Sequence, residues 1–456
     1  MDSDTITAIS TPLGEGGIGI VRLSGKDAFS IVKKVFKTKN KELKSHKLIY
    51  GKIVNPEDEK IVDEVLVSFM SAPHTYTREN IVEINCHGGI IPLRKILELC
   101  LKQGARMAER GEFTQRAFLN GRIDLTQAEA VMDIIRAKTD AGREIAVSQI
   151  EGKLYDKIKD IKEKIVGLLA LVEVNLDFPE EDIEEVTVEK IKKSIKEIVA
   201  EIEEILESAD DGIIFREGLK TTIIGKPNVG KSSLLNALLK EQRAIVTEIP
   251  GTTRDILEEV ISIRGVPLRV IDTAGIRKTK DVVEKIGVER AEKAVRESDL
   301  VLFIVDAKVG IEEEDRTIME MLKNKKSIFI INKIDLVDSE KVEEIIKKIN
   351  ERPVIKASFK YGSGLKKLEE SILNLVFKGE ITPAESILIN NSRQKGSLEK
   401  AKKNISEALQ GMEEEIPLDL ITIDLRRGWE CLGEITGEAL EEGILNKIFS
   451  EFCIGK

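Results

Sequence analysis

One stretch, Gly225-Lys226-Pro227-Asn228-Val229-Gly230-Lys231-Ser232, limits what this chain can fold into more than any other. It stands between an apolar run, Leu219 to Ile224, and a helix-forming run, Ser233 to Lys240. Glycines at both ends let backbone N–H groups turn inward around a phosphate, and the following helix adds its positive N-terminal end. Lys231 brings a full charge toward the β/γ-phosphates, and the Ser232 hydroxyl suits Mg²⁺. A glycine-rich surface turn is the bland alternative, and the strand-then-helix context argues against it.

The residues downstream narrow the ligand. Asn332-Lys333-Ile334-Asp335 follows the apolar run Ser327 to Ile331, where a central parallel strand would end. A carboxylate there accepts from both N1–H and the 2-amino group of guanine, a donor pair that adenine lacks. Asp272 in Val270-Ile271-Asp272-Thr273-Ala274-Gly275 suits the Mg²⁺ shell, and the Gly275 N–H a γ-phosphate. Pro250-Gly251-Thr252-Thr253-Arg254-Asp255 reads as a switch segment. Ala357-Ser358 stands where a last loop would back the base. In this order the motifs predict a Ras-like, doubly wound P-loop GTPase domain over about 216–378.

Its water-positioning group is unusual. Where Ras-type enzymes carry Gln after Asp-x-x-Gly, this chain has Ile276, which cannot orient water. Glu284 follows in the same switch, either as a substitute or as an ordinary acid at a helix start. Arg254 and Arg277 are candidate fingers or surface pairs. The Asn228 side chain could ligate a monovalent cation beside the phosphates or brace its own loop.

The remainder divides around this domain. With 456 residues the chain has room for about three cores. Alternation at Ile18 to Leu23, Leu48 to Val54, Val62 to Phe69 and Ile81 to Asn85, with helical spacing between, predicts an α+β domain over 1–118. Helical periodicity runs from Leu125 to Ala209, with one division expected at Asp177-Phe178-Pro179-Glu180-Glu181. It resumes from Ala384 to Leu409 and from Leu418 to Phe452. We therefore expect a multi-domain α/β protein whose GTPase domain is inserted in a helical domain split into 119–215 and 379–456. A tandem of independent units is the alternative, but no Gly/Ser linker ends either helical half. A net charge of −10 leaves RNA contact to a local basic patch. Four cysteines without metal-ligand spacing, and no membrane-length apolar run, predict a soluble, cytoplasmic protein.

Lys226-Pro227-Asn228-Val229-Gly230-Lys231-Ser232-Ser233 and Ile249-Pro250-Gly251-Thr252-Thr253-Arg254-Asp255 resemble the potassium-activated translation-associated GTPases. Thr11-Pro12 through Gly16-Gly17-Ile18-Gly19-Ile20-Val21-Arg22-Leu23-Ser24-Gly25, His87-Gly88-Gly89, Gly111-Glu112-Phe113-Thr114-Gln115-Arg116-Ala117-Phe118-Leu119-Asn120 and the terminal Phe452-Cys453-Ile454-Gly455-Lys456 narrow the likeness. They resemble the MnmE (TrmE) tRNA-modification GTPases over essentially the whole chain. The resemblance implies an N-terminal domain that dimerises and binds 5-formyl- or methylene-tetrahydrofolate. It also implies a homodimer acting with a flavoprotein partner, MnmG (GidA), on C5 of the wobble uridine of certain tRNAs, and K⁺-stimulated GTP hydrolysis.

By position, GTP would be bound by Asn228, Val229, Gly230, Lys231, Ser232 and Ser233, by Thr247, Glu248, Ile249, Pro250, Gly251, Thr252 and Thr253, by Asp272, Thr273, Ala274 and Gly275, and by Asn332, Lys333, Asp335, Ala357 and Ser358. Ser232 and Thr253 would hold Mg²⁺. Asn228, Thr247, Ile249 and Thr252 would hold K⁺, and Glu284 would orient the hydrolytic water. Arg22, Glu83, Arg122 and Lys456 match the folate site, Arg122 standing where lysine is common. Cys453 is a candidate reactive thiol or a buried small hydrophobe. His87, before two glycines, could bind a ligand or close a turn, and the turn is expected. A second reading, from another class, is an RNA-binding ribosome-assembly GTPase without folate chemistry; a third is a scaffold whose arms GTP separates.

Overall fold

A computed structural model describes residues 4–40, 42–177, 185–242, 259–271, 292–349, 352–377 and 386–456. Its strands and helices fall in two compact units: Met1–Met132 with Ile150–Glu163 and Arg426–Lys456, and Asp133–Gln149 with Lys164–Leu425. In chain order the first elements are β1 (Ile6–Ile9), β2 (Gly16–Ser24), α1 (Ala28–Val35), β3 (Phe36–Lys37), β4 (Lys47–Val54), β5 (Ile61–Met70), β6 (Ile81–Gly88), α2 (Ile90–Lys102) and β7 (Arg106–Met107). Next come α3 (Glu112–Leu119), α4 (Leu125–Arg136), α5 (Asp140–Ile150), α6 (Lys153–Asp177), α7 (Glu185–Glu207) and α8 (Ala209–Glu217). The middle holds β8 (Leu219–Ile224), α9 (Lys231–Gln242), β9 (Glu259–Ile263), β10 (Val266–Ile271), β11 (Leu300–Asp306), α10 (Glu313–Met321) and β12 (Ser327–Asn332). Last are α11 (Ser339–Lys347), β13 (Val354–Lys356), α12 (Leu365–Phe377), α13 (Ser392–Glu413), α14 (Leu418–Thr436) and α15 (Glu442–Ser450).

In the first unit the sheet order is β3-β4-β5-β6-β2-β1-β7, antiparallel except for the β1–β7 pair. Alternation along the strands sends Val21, Leu23, Val82 and Ile84 to one face, where Ile31 of α1 and Ile96 of α2 pack on them. The opposite face leaves Leu48, Tyr50 and Leu66 exposed. The expected strands and helices of this region are all present. The short β1, β3 and β7 were not legible, because two to four residues show no alternation.

The second unit carries a sheet of order β13-β12-β11-β8-β10-β9, parallel except for the β9 edge. Its apolar strands are shared between two cores. Leu302, Ile304, Ile328 and Ile330 pack with Leu234 of α9 and Leu368 of α12. Val301, Phe303, Phe329 and Ile331 pack with Val342 and Ile345 of α11. Burial on both sides is why these strands read as unbroken apolar runs, and it is the doubly wound arrangement expected.

The helical stretches are more broken than their periodicity suggests. Between Leu125 and Ala209 there are four described helices before α8 instead of two, because Thr139 Oγ1 accepts the Gly142 N–H at 3.2 Å to start α5 and Gly152 turns left-handed (φ +89°) to end it. Phe178 to Glu181 of the expected division and Ala384 of the expected helix start lie outside the described residues; among these, the later helix begins at Ser392, where the Asn391 side chain accepts the Gln394 N–H at 2.8 Å. The helical run from Leu418 divides at Gly437, φ +92°.

Candidate functional site

β8 delivers the chain to the phosphate loop, and α9 starts at Lys231. A Cβ on Gly225 (φ +146°) would lie 2.3 Å from the Ile304 carbonyl oxygen, and one on Gly230 (φ +113°) 2.1 Å from Asn332 Nδ2. Glycine is required at both positions by conformation and by space. Lys231 Nζ donates to the carbonyls of Gly225 and Lys226, each at 2.6 Å, and burial lowers the pKa of this ammonium. Lys226 reaches the other way, to Glu312 and to Asp315 (3.1 Å) at the start of α10.

The proposed base-binding loop is tied to the phosphate loop directly. Asn332 Nδ2 donates to the Val229 carbonyl at 2.8 Å, and its Oδ1 accepts the Phe359 N–H at 3.3 Å. Lys333 Nζ donates to the Asn228 carbonyl at 2.7 Å and pairs with Asp306 Oδ2 at 2.6 Å. The Ser358 hydroxyl donates to the Asp335 carboxylate, and the Ile334 N–H to the Ala357 carbonyl at 3.3 Å. The loop at Ala357-Ser358 therefore steadies Asp335. Asp306 was not singled out from sequence; the one signal was a charge ending an otherwise apolar strand. Thr247, Glu248, Ile249, Pro250, Gly251, Thr252, Thr253, Asp272, Thr273, Ala274, Gly275, Ile276 and Glu284 lie outside the described residues.

A second cluster forms where the chain's two ends meet. Arg22 and Glu83 are cross-strand partners on β2 and β6, joined from Nε at 2.8 Å and from the second guanidinium nitrogen at 2.7 Å. Arg22 also donates to the Gly455 carbonyl at 3.3 Å, as does the Ser10 hydroxyl at 3.2 Å. Gly455 is left-handed (φ +89°), and a Cβ there would lie 2.5 Å from the Ile9 carbonyl oxygen. Lys456 is half-buried, and its pKa is lowered by burial and then by Arg22, against the opposing pull of Cys453 and Glu83. The Arg22 guanidinium stands 5.6 Å from the Phe113 ring centroid and that of Arg122 4.6 Å from the Tyr76 centroid. Phe113 and Tyr76 belong to one apolar cluster with Ile6 and Ala8. Arg22, Glu83 and Lys456 are thus brought together, with Arg122 over the adjoining ring.

Two open alternatives close here. Cys453 is exposed and not a buried hydrophobe, whereas burial pushes the thiols of Cys86 and Cys100 up to about 11 and about 12. His87 closes no turn. It continues β6, with Nδ1 2.6 Å from Asp63 Oδ1, which raises its pKa; the next residue, Gly88, is needed because a Cβ would lie 2.2 Å from the Gly16 carbonyl oxygen. Among the described residues no group of His, Cys, Asp and Glu could hold a metal by itself, and no helix is long and apolar enough to cross a membrane.

Comparison with known proteins agrees over the full length. Residues 5–122 match the family described as GTP-binding protein TrmE N-terminus, and residues 125–453 the MnmE helical domain. The chain is 54% identical over 464 residues to the tRNA modification GTPase MnmE of Desulforamulus reducens, covering 100% of both. It is 53% identical over 455 residues to that of Acetivibrio thermocellus, covering 99% of both. Among solved structures, Aquifex aeolicus Era bound to GDP·AlF4⁻ is 33% identical over 41% of this chain and 66% of that one, with a TM-score of 0.28. With its nucleotide sheet lying inside the helical-domain match and full-length relatives at 53% and 54% identity, the chain belongs to the MnmE (TrmE) family of tRNA modification GTPases and is a GTP-hydrolysing enzyme.

Proposed function

We propose that this enzyme is a K⁺-stimulated, dimerisation-activated GTPase that works with a flavoprotein partner, MnmG, to build an aminomethyl-type group at C5 of the wobble uridine of certain tRNAs. The observation that carries the reading is the meeting of Arg22, Glu83, the Gly455 carbonyl and Lys456. The donor set fits a tetrahydrofolate. A carboxylate held on a guanidinium suits the N–H groups of a pterin, and Arg122 and Lys456 suit its glutamyl carboxylates. The folate supplies a one-carbon unit when bound. The chain's contribution is the donor set itself: Glu83 and Arg22 would hold the ring, and Arg122 and Lys456 its glutamyl tail.

At the nucleotide, Lys231 would neutralise β/γ-phosphate charge and Ser232 with Thr253 would hold Mg²⁺. Asn228, Thr247, Ile249 and Thr252 would hold K⁺, and Glu284 would orient water in place of the missing glutamine. Asn228 supports this part: its backbone is left-handed (φ +63°), and its side chain makes no hydrogen bond among the described residues that would brace the loop. Exposed Leu48, Tyr50 and Leu66 on the first sheet support a homodimer through the N-terminal domain, about 1–118. The helical halves, 119–215 and 379–456, would carry the switch outward from 216–378.

Calorimetry of the full chain with 5-formyltetrahydrofolate tests the reading. Binding is expected, weakened about ten-fold or more by Glu83→Gln; no heat in the wild type would favour the ribosome-assembly alternative. GTP turnover is expected to be faster in K⁺ than in Na⁺, and equal rates would remove the cation from the mechanism.

A further inference from the structure

Behind the phosphate loop lies a cavity of about 150 Å³, lined by Asn228, Val229, Val305, Asp306 and Asp315 among others. Asp306, the last residue of β11, is 9% exposed, and its two oxygens do different work. Oδ1 accepts the Lys308 N–H at 2.8 Å and closes the turn after the strand. Oδ2 takes Lys333 Nζ at 2.6 Å, and the same Nζ reaches the Asn228 carbonyl at 2.7 Å. Lys333 (φ +62°) and Asn228 (φ +63°) both hold left-handed backbone, which residues other than glycine keep only when their surroundings impose it. A lysine on a flexible stem has little reason to stay on one carbonyl. A nearly buried carboxylate provides one. Asn332 makes the parallel tie to the Val229 carbonyl, so consecutive carbonyls of the phosphate loop are held from the base-binding loop.

We propose that Asp306 is a positioning residue for nucleotide retention, acting through Lys333 to set the phosphate loop at Asn228, so that seating the base and shaping the phosphate site are coupled. Asp306 touches no nucleotide atom in this scheme and belongs to neither motif that binds one. The inference rests on Asn332-Lys333-Ile334-Asp335 being the base-binding loop.

The test is a mutant cycle on the full-length chain, reading release of N-methylanthraniloyl-GDP displaced by excess GDP. Asp306→Asn keeps an acceptor for the Lys308 N–H but turns an amide toward Lys333. Release is expected to quicken about ten-fold or more in Asp306→Asn and in Lys333→Met. The double variant should release within about two-fold of Lys333→Met alone, because the two residues act as one. A wild-type rate in Asp306→Asn, or a double variant whose rate is the product of the two single effects, overturns the proposal. If Asp306→Asn does not fold, Asp306→Ser carries the same cycle with a hydroxyl for the turn. Asp335→Asn separates the two readings: it should exchange preference for GDP with preference for XDP, and failure to do so removes the base-loop reading itself, whatever Asp306 does.

Discussion

Gly230 shows how much one position can demand. Its φ of +113° and the 2.1 Å that would separate a Cβ from Asn332 Nδ2 act together, because the amide that would be displaced is the one holding the Val229 carbonyl. Gly230→Ala is expected to weaken GDP binding by roughly ten- to a hundred-fold, from strain of about 1–3 kcal/mol, measured by equilibrium titration. This residue was readable in advance, since the loop pattern demands glycine there. Asp306 was not, because an acid at the end of an apolar strand carries no local signature of the lysine it meets 27 positions later. Cys453 was open between two environments in sequence, and only the surrounding chain left its side chain exposed.

The element that best shows charge organising a fold is α3. Glu112 accepts from Arg106 at 2.6 Å and from Arg116 at 2.9 Å, and its carboxylate also takes the Glu109 N–H at 2.8 Å. Arg116 in turn meets Asp4 at 2.6 Å and Glu79 at 3.2 Å. Burial alone would raise the pKa of Glu112, but the two guanidiniums and the N–H outweigh it and the net shift is downward. A depressed carboxylate pKa stabilises the fold above the ordinary glutamate range, and that stability is lost as pH falls through the folded value. Glu112→Ala should therefore cost about 3 kcal/mol near neutral pH. Its difference from wild type should shrink as the pH drops below about 4, followed by urea midpoints across that range. The motif containing Glu112 and Arg116 was visible in the sequence, yet its ion-pair partners Asp4 and Glu79 were not, being contributed by other loops.

At the scale of the whole chain, one carboxylate serves the nucleotide sheet at both of its ends. Asp133, on α4 and nearly buried, accepts Arg216 Nε at 2.6 Å just before β8, and Asn390 Nδ2 at 3.1 Å after the last helix of the sheet. Nearby, Gly212 of α8 must be glycine, because a Cβ would lie 1.9 Å from the Ile389 carbonyl oxygen. Asp133→Ala should destabilise this unit by about 3 kcal/mol, read as a lower urea midpoint, while GDP affinity under folding conditions stays at the wild-type value. The sequence by itself determined the nucleotide sheet and the place of its phosphate loop. The glycines, lysine and hydroxyl of the phosphate loop lie in eight consecutive residues, and strands buried on both faces announce themselves as apolar runs. Only the tertiary structure decided which distant groups share a site: Arg22 with a carbonyl 433 positions away, Asp133 with Asn390, Lys333 with Asp306. Periodicity reports which face of an element is buried, but a polar pair made across the chain depends on how whole elements pack, and no local pattern encodes that.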